Sequence, residues 1–544
     1  MPFVGQFIET VILYQDVDET KELKMNREEM LGRISDRTEP WDMLVIGGGA
    51  TGVGVAVDAA SRGYDILLLE QSDFGKGTSS RSTKLIHGGV RYLQQGNVAL
   101  VMEALRERGI LRNNAPHLVH DLAFIVPNYD WWEAPFYGIG LKIYDLLAGR
   151  YGFGPSKILS KDETLKRIPN IEQDGLRGGI VYYDGQFDDA RLLINLARTA
   201  SHQGATLLNY ARVIALTRDS GGFLNGVIFE DVEAGTEHEL KAKVIINATG
   251  PFTDRIRQMD DPGSLPMISP SQGIHLVFDK SFLPGESAIM VPHTKDGRVM
   301  FAIPYLGATL VGTTDTPIFE TELEPRPTAD EIDFVMETAG AYLEKDPTRE
   351  DILSVFTGIR PLIKAGNKMN TAELSREHII HFSNSGLLTI AGGKWTTYRL
   401  MAKLCVNHAL SLAGLESKPC ETKTLNIHGY HKTPEKFKEY AFYGSDAPAL
   451  QDLIRLDPVY KEKLHPALRA RVGEVIWAVR FEAARTVDDF LARRTRSLQL
   501  NARAAREMAP RVSSLMAKEL GRDDKWEREQ IESFFKISEN YLPA

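Results

Sequence analysis

The chain has 544 residues, 43% of them hydrophobic, a net charge of -9 and two cysteines, Cys405 and Cys420. That length suits two or three packed domains, and the negative balance excludes the global basic footprint of a nucleic-acid binder. Two cysteines at no metal-ligand spacing point to reduced thiols in a cytosolic setting, with no metal site.

The first 40 residues hold an apolar patch (Phe7, Ile8, Val11, Ile12, Leu13, Tyr14) and then a run dense in acids. A secretory signal starts basic and a transit peptide avoids acids, so neither is expected here. No apolar run approaches the roughly 18 residues that a membrane span needs. A soluble or peripheral protein facing the cytosol is expected.

Met43-Leu44-Val45-Ile46 suits a strand buried on both faces. Gly47, Gly49 and Gly52 follow at G-x-G-x-x-G spacing, with Ala50 and Thr51 inside the turn. The first glycine permits the tight turn, the second lets a pyrophosphate approach, and the third lets helix and strand pack closely. Val53 to Ser61 reads as the helix whose N-terminus attracts phosphate. Ile66–Leu69 is the second strand, and Glu70 at its end suits a ribose. Its charge disfavours a 2′-phosphate, so NADP is not expected.

Thr78, Ser79, Ser80, Arg81, Ser82, Lys84 and Leu85 lie in a loop of hydroxyls, cations and glycines that suits pyrophosphate and flavin. His87 then stands between an apolar pair and two glycines. A histidine titrates near working pH and can take a proton from a substrate hydroxyl. Further on, Trp131, Trp132 and the stretch Pro135 to Tyr144 are aromatic and apolar, as suits either a bilayer interface or packing under the C-terminal domain.

Lys243 to Asn247 is another buried-strand pattern, closing in Ala248-Thr249-Gly250. Arg360 precedes Pro361 on extended backbone, and its fork suits phosphate or carboxylate. Leu387 to Ala391 runs into Gly392-Gly393-Lys394, followed by a helix from Thr396 to about Leu412. This late return to an N-terminal nucleotide fold suits a flavin, whose ring lies far from its adenine, so FAD is expected over NAD. Lys394 opposes the helix dipole, so an anionic partner is expected there. Val213, Ala248, Gly250, Gly393, Lys394 and Thr396 complete the expected cofactor contacts.

Several strings together resemble the FAD-dependent glycerol-3-phosphate dehydrogenase family of respiratory enzymes. They are Val45 to Gly49, Ser82 to Leu93, Asn247 to Pro251, Gly312 to Asp315, Gly358 to Leu362 and Gly392 to Arg399. Ala484 to Asp489 and Ala492 to Arg496 are similar to the family's helical cap. Gly392-Gly393-Lys394-Trp395 and Pro270 to His275 look closer to the mitochondrial branch, yet no calcium-loop pattern occurs, so calcium control is not expected. The resemblance implies oxidation of sn-glycerol 3-phosphate to dihydroxyacetone phosphate, with hydride passing to FAD and electrons to a membrane quinone. It implies His87 as base, Arg360 and Lys394 as catalytic and substrate-binding cations, and Arg91 and Tyr92 near the substrate phosphate. The rival readings are an oxidase using oxygen, acting on glycerol 3-phosphate or on an amine or hydroxy acid, and a non-enzymatic flavin scaffold. A protein on the inner face of the cell membrane follows, with room for a homodimer and no metal.

The expected fold is α/β plus α+β: a Rossmann-like FAD-binding domain, a β-sheet substrate domain and a C-terminal helical cap. Residues 1–40 form an extension. The FAD domain takes 41–110, 178–265 and 370–415, the substrate domain 111–177 and 266–369, and the cap 425–544. Val475, Val479, Glu482 and Thr486 form a stripe expected to face the core.

Overall fold

A computed structural model describes residues 25–89, 93, 96–292, 294, 298–364 and 378–543. Strand Met43–Ile46 is buried along its whole length and pairs in parallel with Ile245–Asn247 and Ile66–Leu69. Side chains alternate across a strand, and the two faces meet different cores. Met43 and Val45 pack with helices Ala50–Ser61 and Tyr398–Ala413, whereas Leu44 and Ile46 join Trp41, Leu208, Val227 and Phe229. The six-stranded sheet runs His378–Phe382, Leu387–Gly392, Ile245–Asn247, Met43–Ile46, Ile66–Leu69 and Thr206–Leu208. The late return of the chain therefore lies two strands from the dinucleotide strand.

A second, mixed sheet spreads over the site from strands between Leu85 and Ile363. Alternation again serves two cores. Phe124, Val126, Tyr182 and Ile303 pack on the C-terminal helices, while Ile125, Val181, Ile274 and Ile289 pack on helix Ala329–Gly340. Strand Gly178–Phe187 belongs to this sheet, pairing with Val119–Asn128, so the parallel-sheet portion resumes after Phe187, later than the sequence boundary at 178.

The C-terminal portion is helical, as expected. Val475 is buried and Val479 half-buried on helix Val472–Phe481. The helix stops before the end of the expected stripe, and Ala483 takes a left-handed φ of 50°. Glu482, beyond that end, is buried and forms a forked pair with Arg191 of helix Asp189–His202. At the N-terminal side, helix Arg27–Ser35 begins at Asn26, whose side chain accepts from Glu29 N–H at 3.2 Å. It inserts Met30 and Ile34 into the core beside Trp41, and Arg27 pairs with Asp231 at 2.7 Å.

One polar seam joins helix Asp189–His202 to the segment 428–446. Asp446 pairs with Arg198 and with His428, the latter at 2.8 Å, while Asn195 donates to the His428 carbonyl at 2.9 Å. Burial, followed by Arg191, pushes His117 down to about 3, and burial with Arg198 pushes His428 down to about 4. Both histidines protonate near 6.5 once unfolded, so between pH 6.5 and about 4 the unfolded chain binds protons that the fold refuses. Going from pH 7 to pH 5 therefore costs about 2 kcal/mol of stability per histidine. Thermal melts at the two pH values will show a smaller loss in His428→Gln than in wild type. Equal losses in both proteins would remove His428 as a source.

Candidate active site

A cleft of about 370 Å³ opens at the carboxyl ends of the parallel strands. Ile46, Leu69, Ala248 and Ile390 bring four strand ends to it. A Cβ on Gly52 would overlap the Gly47 carbonyl, and Gly47 itself has a φ of 110°, so both positions demand glycine. Gly49 precedes helix Ala50–Ser61 without any side-chain cap. With no acceptor from its own N-cap residue, the helix start suits an anion. Ser79 lies opposite, accepting from Ala50 N–H at 2.9 Å.

Glu70 accepts from Gly48 N–H at 2.6 Å and Ser72 N–H at 2.9 Å. Burial pushes its carboxyl up, and the two amide donors oppose that rise. A half-buried carboxylate beside this turn suits ribose hydroxyls. The tight glycines, the uncapped helix and Glu70 together fit a dinucleotide.

The returning chain builds another part of the cleft wall. Gly393 and Lys394 line it, as does Pro361. Trp395 Nε1 donates to the Ser79 carbonyl at 2.8 Å, tying the return to the first loop. Arg360 lies on strand Ser354–Ile363, paired with Ile268–Asp279. A Cβ at Gly273 would stand about where the guanidinium lies, so that glycine makes its room. The guanidinium donates to the Thr314 carbonyl at 2.9 Å and to Thr313 Oγ1 at 3.2 Å, and stands 3.3 Å from Asp315.

Strand alternation sorts Ile268–Asp279. Gln272 turns away to Glu331 at 2.7 Å, whereas His275 meets Thr83 Oγ1 through Nε2 at 2.9 Å. His275 stacks on Phe356 with centroids 4.8 Å apart. Burial, then Arg360 and Lys84, hold it well below the ordinary histidine range, so it stays neutral. A neutral imidazole between two cations was not assigned from sequence, because its neighbours come from three segments.

Other expected residues divide between cleft and frame. Ala50, Thr51, Thr78, Val213 and Gly250 line the cleft; Thr396 is buried beside it in the turn after Lys394. Ser80, Arg81, Ser82, Lys84 and Leu85 face the frame. Arg81 pairs with Glu324 at 2.7 Å. Ser82 donates to Asp189 at 2.7 Å, and Lys84 reaches that carboxylate at 2.7 Å and the Ser80 carbonyl at 2.7 Å. Leu85 joins the hydrophobic core. Lys76, Arg255, Phe252 and Leu323 line the cleft without having been assigned. Lys76 sat in a loop whose other members carried the reading, and Leu323 comes from the loop before the helix at Ala329. His87 follows strand Leu85–Ile86, which pairs with Gly185 and Gln186; it is half-buried. Arg91 and Tyr92 lie outside the described residues.

Gly52→Ala forces a methyl group into the Gly47 carbonyl. The purified variant is expected to lose visible flavin absorbance while keeping its far-ultraviolet circular dichroism. A fully yellow variant would refute the tight turn.

Residues 42–399 match the family described as FAD dependent oxidoreductase, and residues 405–527 match the C-terminal domain of alpha-glycerophosphate oxidase. The chain is 40% identical to a probable mitochondrial glycerol-3-phosphate dehydrogenase of Caenorhabditis elegans, over 93% of this chain and 74% of that one. It is 40% identical to the mitochondrial glycerol-3-phosphate dehydrogenase of Homo sapiens, over 94% and 75%. It also superposes on the glycerol-3-phosphate dehydrogenase of Bacillus halodurans solved with FAD. There the TM-score is 0.78 at 29% identity, covering 95% of this chain and 97% of that one.

Proposed function

The chain belongs to the FAD-dependent glycerol-3-phosphate dehydrogenase family, and from that premise we propose how its residues oxidise sn-glycerol 3-phosphate to dihydroxyacetone phosphate. FAD held in the cleft would supply the hydride acceptor, and a membrane quinone would take up the electrons. His87 takes the proton from the C2 hydroxyl. Arg360 and Lys394 hold the phosphate and stabilise the developing alkoxide, an effect worth roughly 3–4 kcal/mol. Arg91 and Tyr92 add to the phosphate site by resemblance to the family. His275, neutral and fixed by Thr83, contributes a hydrogen-bonding group without charge. The observation that supports this assignment best is one cleft lined both by the dinucleotide turn and by Lys394 and Pro361, the residue that follows Arg360 in sequence.

Anaerobic mixing with glycerol 3-phosphate is expected to bleach the flavin. His87→Asn should retain FAD yet bleach roughly 100-fold or more slowly, the usual contribution of a positioned base. A wild-type rate would refute the base assignment. Under air, dye or quinone reduction with little peroxide is expected; stoichiometric peroxide would favour the oxidase reading.

Lipid contact is assigned to helix Glu133–Ala148. Among the described residues no helix is long and apolar enough to cross a membrane. This helix nevertheless carries an outward apolar stripe at spacings of four and three: Trp132, Phe136, Ile139, Ile143 and Leu146. Ile139 is 66% exposed and Leu146 81%, with Trp131 beside them at 76%. Lys142 and Arg150 flank the stripe, as an anionic lipid surface favours. Peripheral docking on the inner face of the membrane follows. Trp131→Ala/Trp132→Ala/Phe136→Ala is expected to stop flotation with liposomes; unchanged flotation would exclude the segment.

A further inference from the structure

Helix Glu133–Ala148 has a second, inward stripe at Tyr137, Leu141, Tyr144 and Ala148, all buried. Tyr144 is only 1% exposed, yet its hydroxyl is fully engaged. It accepts from Gly88 N–H at 2.8 Å and donates to Asp184 Oδ2 at 2.7 Å. The second oxygen of Asp184 pairs with Arg108, which also donates to the Tyr151 carbonyl at 3.1 Å. Burial, then Asp184, raises the Tyr144 hydroxyl well above its ordinary pKa, so it stays protonated and keeps donating. A Cβ on Gly88 would overlap this hydroxyl and Leu105. The close approach is therefore built into the backbone next to His87.

Helix Val98–Asn114, which supplies Arg108, holds the other half of the reaction centre through the preceding residue. Glu107 takes both arms of a fork from Arg399, at 2.7 Å each. Arg399 sits in the first turns after Lys394. Adjacent residues of one helix thus steady the Lys394 turn and, through Asp184 and Tyr144, the His87 turn.

We propose that Tyr144 is a positioning residue. Through Gly88 it sets the place of the His87–Gly89 turn, and through its helix it makes that turn one body with the surface that meets lipid. The proposal rests on His87 as base and on this helix as the lipid-facing one. Seating the outer stripe steadies the inner one, so proton removal at C2 is fastest on lipid-bound enzyme.

Tyr144→Phe deletes the hydroxyl and keeps the ring. The holoenzyme is mixed anaerobically with glycerol 3-phosphate, in buffer and on vesicles of zwitterionic and anionic phospholipid. FAD content and half-saturating substrate concentration are expected to match wild type. The maximal bleaching rate falls about tenfold, as loss of one buried hydrogen bond implies, and the acceleration that vesicles give wild type disappears. Tyr182→Phe is the control: its buried hydroxyl meets Met290 and its ring abuts Tyr144, without reaching Gly88. It is expected to bleach at the wild-type rate. Unchanged maximal bleaching in Tyr144→Phe overturns the proposal, as does equal slowing in Tyr182→Phe. A wild-type enzyme indifferent to vesicles overturns the lipid coupling. Failure of the underlying readings shows elsewhere, in fast bleaching by His87→Asn or in flotation of the triple variant.

Discussion

Asp73 is fully buried and accepts from Arg493 and Arg494 at the other end of the chain. Burial alone would raise its carboxyl; Arg494 and Arg493 more than offset this and hold it below the usual range. Losing either partner would strand buried charge, a loss of about 3–5 kcal/mol. The segment it anchors, residues 70–84, carries contacts on which the proposed reaction centre depends. Lys76 in that segment pairs with Asp488 at 2.7 Å and Glu324 at 3.0 Å, and Gln499 donates to the Ser80 carbonyl at 2.6 Å. The same segment presents Ser79 to the helix start and to Trp395, and Thr83 to His275. The glycine turn, the Trp395 turn and His275 are therefore referred to one fixed piece of backbone.

The two sheets divide the work by periodicity. In Ile268–Asp279 the odd positions Ser271, Gly273 and His275 face Asp315, Arg360 and Thr83, while Ile274 enters the core beneath. A one-residue slip would exchange those sets. Ten consecutive partners on Ser354–Ile363 hold the register. Specific chemistry on one face is thus secured by plain hydrophobic packing on the other.

The dinucleotide turn was legible because its parts are local: strand, glycines, helix and Glu70 lie within one βαβ unit. Lys394 was legible for a similar reason, since strand, glycine pair and helix announce it together. Arg81, Ser82 and Lys84 show the opposite case. Their composition suits a pyrophosphate, but their partners Glu324 and Asp189 come from distant segments that local pattern cannot supply. The boundary at 178 precedes strand Gly178–Phe187, and local pattern does not say which sheet receives that strand. The aromatic stretch near Trp131 was equally compatible with packing under the cap. Only the fold separates its outer stripe from the inner one.

The clamp on Asp73 also orders events in time. The glycine turn and its first helix leave the ribosome early, while Arg493 and Arg494 follow some 420 residues later. Until they arrive, the 70–84 segment holds a carboxylate that no neighbour neutralises, and water must stay with it. The nucleotide fold is therefore completed by residues from both ends of the chain, and a chain ending before Arg493 would lack the two cations that neutralise Asp73.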